Sequence, residues 1–171
     1  VASVRATTVI PPTFDDLVDQ AEFIFDGTVT NVKSEWVGEG AERHIMTYVS
    51  FRVEESLKGK MEQTYTIRML GGTVDGKTMA VSDAPKFKSG DRDILFVQNN
   101  GTQFIPLVGI MHGRFRVAHD QSGNEMMTTN DGQPLKNVAR LGRSETASAD
   151  EPTLTPASFK AAIQNRLRNA P

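Results

Sequence analysis

The chain of 171 residues contains no cysteine. That absence removes a thiol nucleophile, a cysteine-ligated zinc and a disulfide framework together. It leaves the redox compartment open, because a chain of this length buries a core that needs no covalent staple. Long apolar runs are missing too. The longest candidates, Asp93 to Val97 and Phe104 to Met111, are strand-sized and far short of a bilayer span. A surplus of one charge is also lacking: 19 Lys and Arg stand against 21 Asp and Glu, a formal net charge of −2, so no global basic field draws the chain to nucleic acid or anionic lipid.

Reaction motifs are equally scarce. No serine lies in a G-x-S-x-G elbow, and Ser89 and Ser122, which precede glycine, read as turn residues. His44, His112 and His119 lack the spacing of a helical zinc pair and read as surface or turn histidines. No G-x-G-x-x-G or Walker loop is present. Asp120 to Glu125 lacks the alternating ligands and length of an EF-hand loop. The expectation is a chain with no catalytic residue, no metal and no cofactor, acting by binding rather than by catalysis, with a hydrolase as a weaker alternative.

What is present is a series of short alternating β segments between two terminal helices. Pro11 and Pro12 stop any extended lead-in, and Thr13 with Asp16 three residues on forms an acidic capping box for a helix over 13–21. Phe14, Leu17, Val18 and Ala21 then form its apolar stripe, with Asp15, Asp16 and Asp19 in water near its positive end. From Glu22 the period becomes two, with Phe23, Phe25 and Val29 on one face. Val32 and Trp36 fall out of that phase, which predicts a bulge or bend in a long first strand.

Val37 to Arg43 reads as a turn, and Ile45 to Glu54 as a strand with Ile45, Thr47, Val49, Phe51 and Val53 inward and Met46, Tyr48 and Arg52 outward. Lys58-Gly59-Lys60 turns into a third strand, Gln63 to Leu70. Gly71 to Arg92 is a long excursion in which only Thr78 to Val81 has strand character, and connections of this length are often functional. Asp93 to Gln98 is apolar on both faces, as a central strand is. Asn99-Asn100-Gly101 predicts a hairpin into a strand over Thr102 to Val108, and a last strand over Gly113 to Ala118 puts Phe115 and Val117 inward and Arg114 and Arg116 outward.

The organisation that follows is a β domain over 1–140, a Ser-, Ala- and acid-rich linker over 141–154, and a C-terminal helix over 155–170, capped by Thr155 with Pro156 at its first position. The order of elements predicts a mainly β fold, a five- to six-stranded barrel of the oligonucleotide/oligosaccharide-binding kind with short helices at both chain ends. The lead-in from Val1 to Thr8, small and β-branched, reads as the start of a mature exported chain, secreted or periplasmic.

A string of residues carries a resemblance. Leu17-Val18 with Ala21 leads into Ile24 to Val29, Trp36 precedes a Thr47 to Val53 strand, and Leu57-Lys58-Gly59 and Gly71-Gly72 follow. Ala84-Pro85 with Phe87, Gly90 and Asp91 then precedes Ile94 to Val97, and Gly109, Gly113, Phe115 and Val117 close the string. This pattern resembles a family of bacterial exported proteins of uncharacterised function, which implies an extracytoplasmic setting and brings no activity with it. In architecture it also resembles the netrin-like barrel of tissue inhibitors of metalloproteinases. Those inhibitors act through an N-terminal cysteine and disulfides, which this chain lacks, so no binding residue carries over.

The leading expectation is a module that binds an extracytoplasmic protein through the loops 71–92 and 37–43, with Trp36, Gly71, Gly72, Asp75, Asp83 and Lys86 as candidate binding residues. The alternative is a small ligand or single-stranded nucleic acid on the barrel face, carried by Tyr48, Arg52 and Arg114. Scattered arginines on an acidic chain pair more readily with neighbouring carboxylates, so nucleic acid is disfavoured.

Overall fold

Thr13 and Asp16 close the expected capping box at the start of α1, Phe14–Gln20: the Asp16 amide donates to Thr13 Oγ1 at 3.2 Å and the Thr13 amide to Asp16 Oδ2 at 3.0 Å. The computed structural model describes residues 9–145 and 147–171, so the lead-in from Val1 to Thr8 lies outside them. The other α-helix, α2, spans Pro156–Arg168 and opens on a second reciprocal box between Thr155 and Ser158. Between them run β1 (Phe23–Val37), β2 (His44–Lys58), β3 (Thr64–Leu70), β4 (Gly72–Val74), β5 (Lys77–Met79), β6 (Arg92–Val97), β7 (Arg114–His119) and β8 (Glu125–Thr129). The protein is mainly β. Six strands form one antiparallel sheet in the order β3-β2-β1-β6-β7-β8, and β4 and β5 form a separate hairpin.

The long first strand bends as its apolar phase requires. Its pairing with β2 slips at three places, the last between Val29 and Asn31, where the alternation in the sequence changes phase. Gly27 sits at the bend, and a Cβ there would stand 2.8 Å from the Phe25 ring and 3.1 Å from the Arg52 carbonyl oxygen. The close approach of β2 admits no side chain.

β6 and the first half of β1, Phe23 to Val29, are buried on both sides, and this divides the core in two. On one face Ile24, Ile94, Phe96 and Phe115 pack beneath α1 and α2 with Leu17, Phe159 and Ile163. On the other face Phe25, Val49, Phe51, Ile67 and Leu95 pack together, Phe25 and Phe51 edge to face at 5.5 Å. β3 and β6 lie three strands apart in the sheet, yet the chain leaving β6 bonds to the free edge of β3. Asn100 accepts from the Arg68 amide at 3.0 Å and donates to Thr66 O at 2.8 Å, and the Leu70 amide donates to Phe104 O at 2.8 Å. A flat sheet would hold these groups on the order of 14 Å apart, so the sheet is strongly curled.

Several expectations need correction. Thr102 to Val108 is not a strand: it touches the ladder only through the Val97 to Leu107 bridge, and its backbone is spent on turns and on β3. Met46, expected outward, is 4% exposed, because the outer side of β2 is partly covered. The strand expected at Thr78 to Val81 begins one residue earlier and ends at Met79, paired with β4, which the sequence reading did not separate from the loop. The last strand expected, over Gly113 to Ala118, is followed by a further one, β8, which pairs with β7. Arg114, expected outward, is 2% exposed.

The C-terminal helix docks on the sheet through Phe159, which meets Phe115 at 4.9 Å, Phe96 at 6.1 Å and Phe14 at 6.4 Å between ring centroids. Charge ties it down as well. Asp26, fully buried in β1, accepts from Lys160 Nζ of α2 at 3.0 Å and from Arg92 Nε and Nη2 at 3.0 and 2.7 Å. Burial works against the ionised Asp26 carboxyl, but the hydrogen bonds from Arg92 and Lys160 more than offset it and hold it below the usual carboxylate range. Replacing Phe159 by alanine is expected to cost about 3–5 kcal/mol of folding free energy in urea unfolding. A loss below about 1 kcal/mol would mean that α2 is not part of the cooperative core.

Candidate functional site: an apolar groove beneath the 71–92 excursion

Where β3 ends, Gly71 and Gly72 turn the chain back over the sheet with φ of +98° and +138°. The Gly71 amide donates to Ile45 O at 2.8 Å. Thr47 Oγ1 donates to Gly71 O at 2.6 Å, which spends its one hydrogen, so Ser34 Oγ is the donor in the 2.7 Å contact between the two hydroxyls. A Cβ on Gly72 would stand 2.6 Å from Ser34 Oγ. Glycine is needed here because the excursion lies directly on β1 and β2.

From this anchor β4 and β5 form a hairpin whose tip, Asp75-Gly76, has positive φ at both positions, 51° and 75°, as a type I′ turn demands. The chain then passes Val81, Ala84 and Phe87, which pack against the inner core. Hairpin and return segment form one wall of a groove of ≈ 400 Å³, and Val32, Val49 and Met69 of the curled sheet form the other. A concave, mainly apolar space of this size falls in the range that holds small ligands.

The return wall is held from behind by a buried guanidinium. Arg114 Nε donates to Asp93 Oδ1 at 3.0 Å, and Nη2 donates to Asp91 Oδ2 at 3.0 Å and Asp93 Oδ2 at 3.3 Å. Nη1 donates to Lys86 O at 2.8 Å and to Asn130 Oδ1 at 3.2 Å. All five N–H groups are thus used. The Phe87 ring lies 4.1 Å below the guanidinium carbon and meets Phe51 edge on at 5.6 Å. Arg114 pairs with Leu95 across the ladder, so Asp93, two residues back on β6, is its diagonal neighbour on the same face. Burial pushes the Asp93 carboxyl up to about 6, against the pull of the Arg114 guanidinium.

The candidate residues distribute unevenly. Gly71, Gly72 and Lys86 line the groove, with Lys86 the only ionisable residue among those that do. Asp75 stands at the hairpin tip and Asp83, at φ 61°, in the turn of the return segment, both exposed. Trp36 lies beyond the groove, its ring covered by the Arg43 guanidinium at 4.4 Å. Tyr48 and Arg52 alternate with Val49 and so face the other side of β2, where Arg52 Nη2 pairs with Glu54 Oε1 at 2.7 Å. Arg114 is interior and fully bonded, so these two arginines and the tyrosine share no surface.

Sequence reasoning missed the sheet side of the groove, Ser34, Thr47, Val49 and Met69, whose only signal was inward alternation. It also passed over Asp75-Gly76, a strong hairpin signal between short β-branched runs. A second cavity of ≈ 270 Å³ lies on the other side of Arg114, lined by Pro12, Leu17, His112, Asn130 and Asp131 among others. Burial holds the His112 imidazole below its ordinary range. Among the described residues, no three His, Asp or Glu side chains gather in a way that could hold a metal ion. Comparison of the chain with protein-family models, with curated proteins and with solved structures gives no match.

Replacing Arg114 by methionine strands Asp93 without a counter-ion and is expected to cost about 3–5 kcal/mol in urea unfolding, part of which Asp93→Leu restores in the double variant. If R114M unfolds like the parent chain, the network is not holding the wall. The Asp93 carboxyl should titrate with a midpoint near 6 in a 13C carboxyl NMR series, above the ordinary 3.8. Because the native state binds this proton more tightly than the unfolded chain, its contribution to stability is full below the unfolded value and is lost as pH rises through 6. A midpoint below 4 would contradict this reading of Asp93.

Proposed function

We propose that this protein is a non-enzymatic binding module, exported to the periplasm or beyond, that captures a small apolar ligand in the groove between the 71–92 excursion and the curled sheet. The observation that carries the reading is the groove itself, ≈ 400 Å³ of mainly apolar space. Its fixed wall is backed by Arg114 through Lys86 O and the Phe87 ring. Preorganised walls reduce the ordering cost of binding. Binding is favoured over catalysis because Lys86 is the sole ionisable lining residue, so an acid–base pair has no second member there.

The fold we infer is an OB-like, netrin-like barrel. Support comes from the strand order, in which β1 lies between β2 and β6, and from the hydrogen bonds by which residues 100–104 meet the edge of β3. The exported setting rests on the resemblance of the Phe14 to Val117 string to bacterial exported proteins.

A second reading, capture of an extracytoplasmic protein by the loops, is favoured by one feature. The ladder from Ser34 and Thr47, on which Gly72 rests, runs three pairs further to Val37 and His44, where the 38–43 turn begins. The excursion and that turn therefore rise from the same end of the sheet.

The groove reading is tested with the neutral fluorophore N-phenyl-1-naphthylamine. Ala84→Trp fills the groove and is expected to weaken probe binding about tenfold or more. Ala157→Trp, on the exposed face of α2, should leave it unchanged. Equal binding by both variants, or no binding by the parent chain, would remove the groove as the site.

A further inference from the structure

We infer that the groove selects a single-chain amphipathic anion, an acyl chain ending in a free carboxylate, with the carboxylate held at Lys86; this rests on the groove reading above. Three observations carry it. The first is charge. Lys86 is exposed and, among the described residues, has no ion-pair partner, while no Asp or Glu lines the groove. Asp83, three residues away, forms no ion pair with Lys86, and the nearby Asp91 is spent on Arg114. A cationic ligand would meet a like charge and no counter-charge, whereas an anionic one is met by the single cation.

The second is the distribution of donors. At the Gly72 end the hydroxyl hydrogens of Ser34 and Thr47 are both spent, on Thr47 and on Gly71 O, so that end presents lone pairs to an occupant. Those two oxygens offer a carboxylate no donor, whereas Lys86 on the return segment does. Thr73 and Thr78 share one hydrogen bond at 2.8 Å, which leaves a single O–H between them for a ligand. The third is the character of the walls. Met69 and Met79 lie on opposite sides of the space, and their unbranched, polarizable side chains adapt to a flexible chain better than branched ones do. The backbone from which the Lys86 side chain springs is held in place, because its carbonyl is fixed by Arg114.

The test is calorimetric titration of the intact chain with dodecanoate, dodecanol and dodecyltrimethylammonium at pH 8 and low salt. Dodecanoate should bind about three- to fivefold tighter than dodecanol, the upper range for one screened, exposed ion pair, and dodecyltrimethylammonium should bind weakest. Lys86→Gln should weaken dodecanoate about three- to fivefold and leave dodecanol within twofold, and added salt should narrow the gap between the two in the parent chain. Equal affinity for dodecanol and dodecanoate, unchanged dodecanoate binding by K86Q, or tighter binding of the ammonium would overturn the anion preference. Binding of N-phenyl-1-naphthylamine that is lost in A84W would still uphold the groove in that event. Absence of all binding would overturn both.

Discussion

The five hydrogen bonds of the Arg114 guanidinium draw β6, the return of the excursion and the turn after β8 onto one side chain. Asp93 ties it to β6, Asp91 and Lys86 to the return of the excursion, and Asn130 to the turn after β8. A guanidinium at 2% exposure is tolerated only because every donor finds an acceptor and an aromatic face lies beneath it. The same bonds that solve this local problem of charge burial set the position of Phe87 and Lys86, and with them one wall of the groove. Stability and the shape of the groove are therefore coupled through one side chain.

A second buried ion cluster performs the corresponding task on the outer face. Asp26 is reached by Arg92 from its own sheet and by Lys160 from α2, while Arg92 also pairs with Glu125 of β8 and Lys160 with Glu55 of β2. β6 and the first half of β1 are covered on both sides, so a carboxylate on either face there must be answered by a cation brought from elsewhere in the chain. Asp26 and Asp93 are the two such carboxylates, and each has its cation. The two helices cover one face of the sheet; curvature and the excursion cover the other.

Much of the architecture was legible along the chain. Capping residues marked both helices and an apolar stripe the first, and the phase slip after Val29 marked the bend in β1. Double-sided apolarity marked β6 as central, and the length and composition of 71–92 marked it as the segment to watch. The errors share a cause. Arg114 was assigned to solvent because alternation with Phe115 and Val117 gives only two faces and does not say that both are buried. Asp93, a carboxylate opening a run that is apolar on both faces, carried the signal that a cation had to lie opposite. Thr102 to Val108 has strand composition, but its hydrogen-bonding groups were claimed by turns and by the β3 edge, which no local pattern reports.

Periodicities, caps and turns, and so the succession of strands between two helices, follow from the order of residues alone, because these depend on backbone preferences and on spacing within a few residues. That order also placed Gly71, Gly72 and Lys86 in one long excursion, and all three line the groove. That Ser34, Thr47, Val49 and Met69 face that segment across a groove, and that Arg114 turns inward to hold it, emerges only in three dimensions. Those relations depend on how far the sheet curls and which strand edges meet. That curvature is a sum over contacts between residues distant in the chain, and no single stretch of sequence contains it.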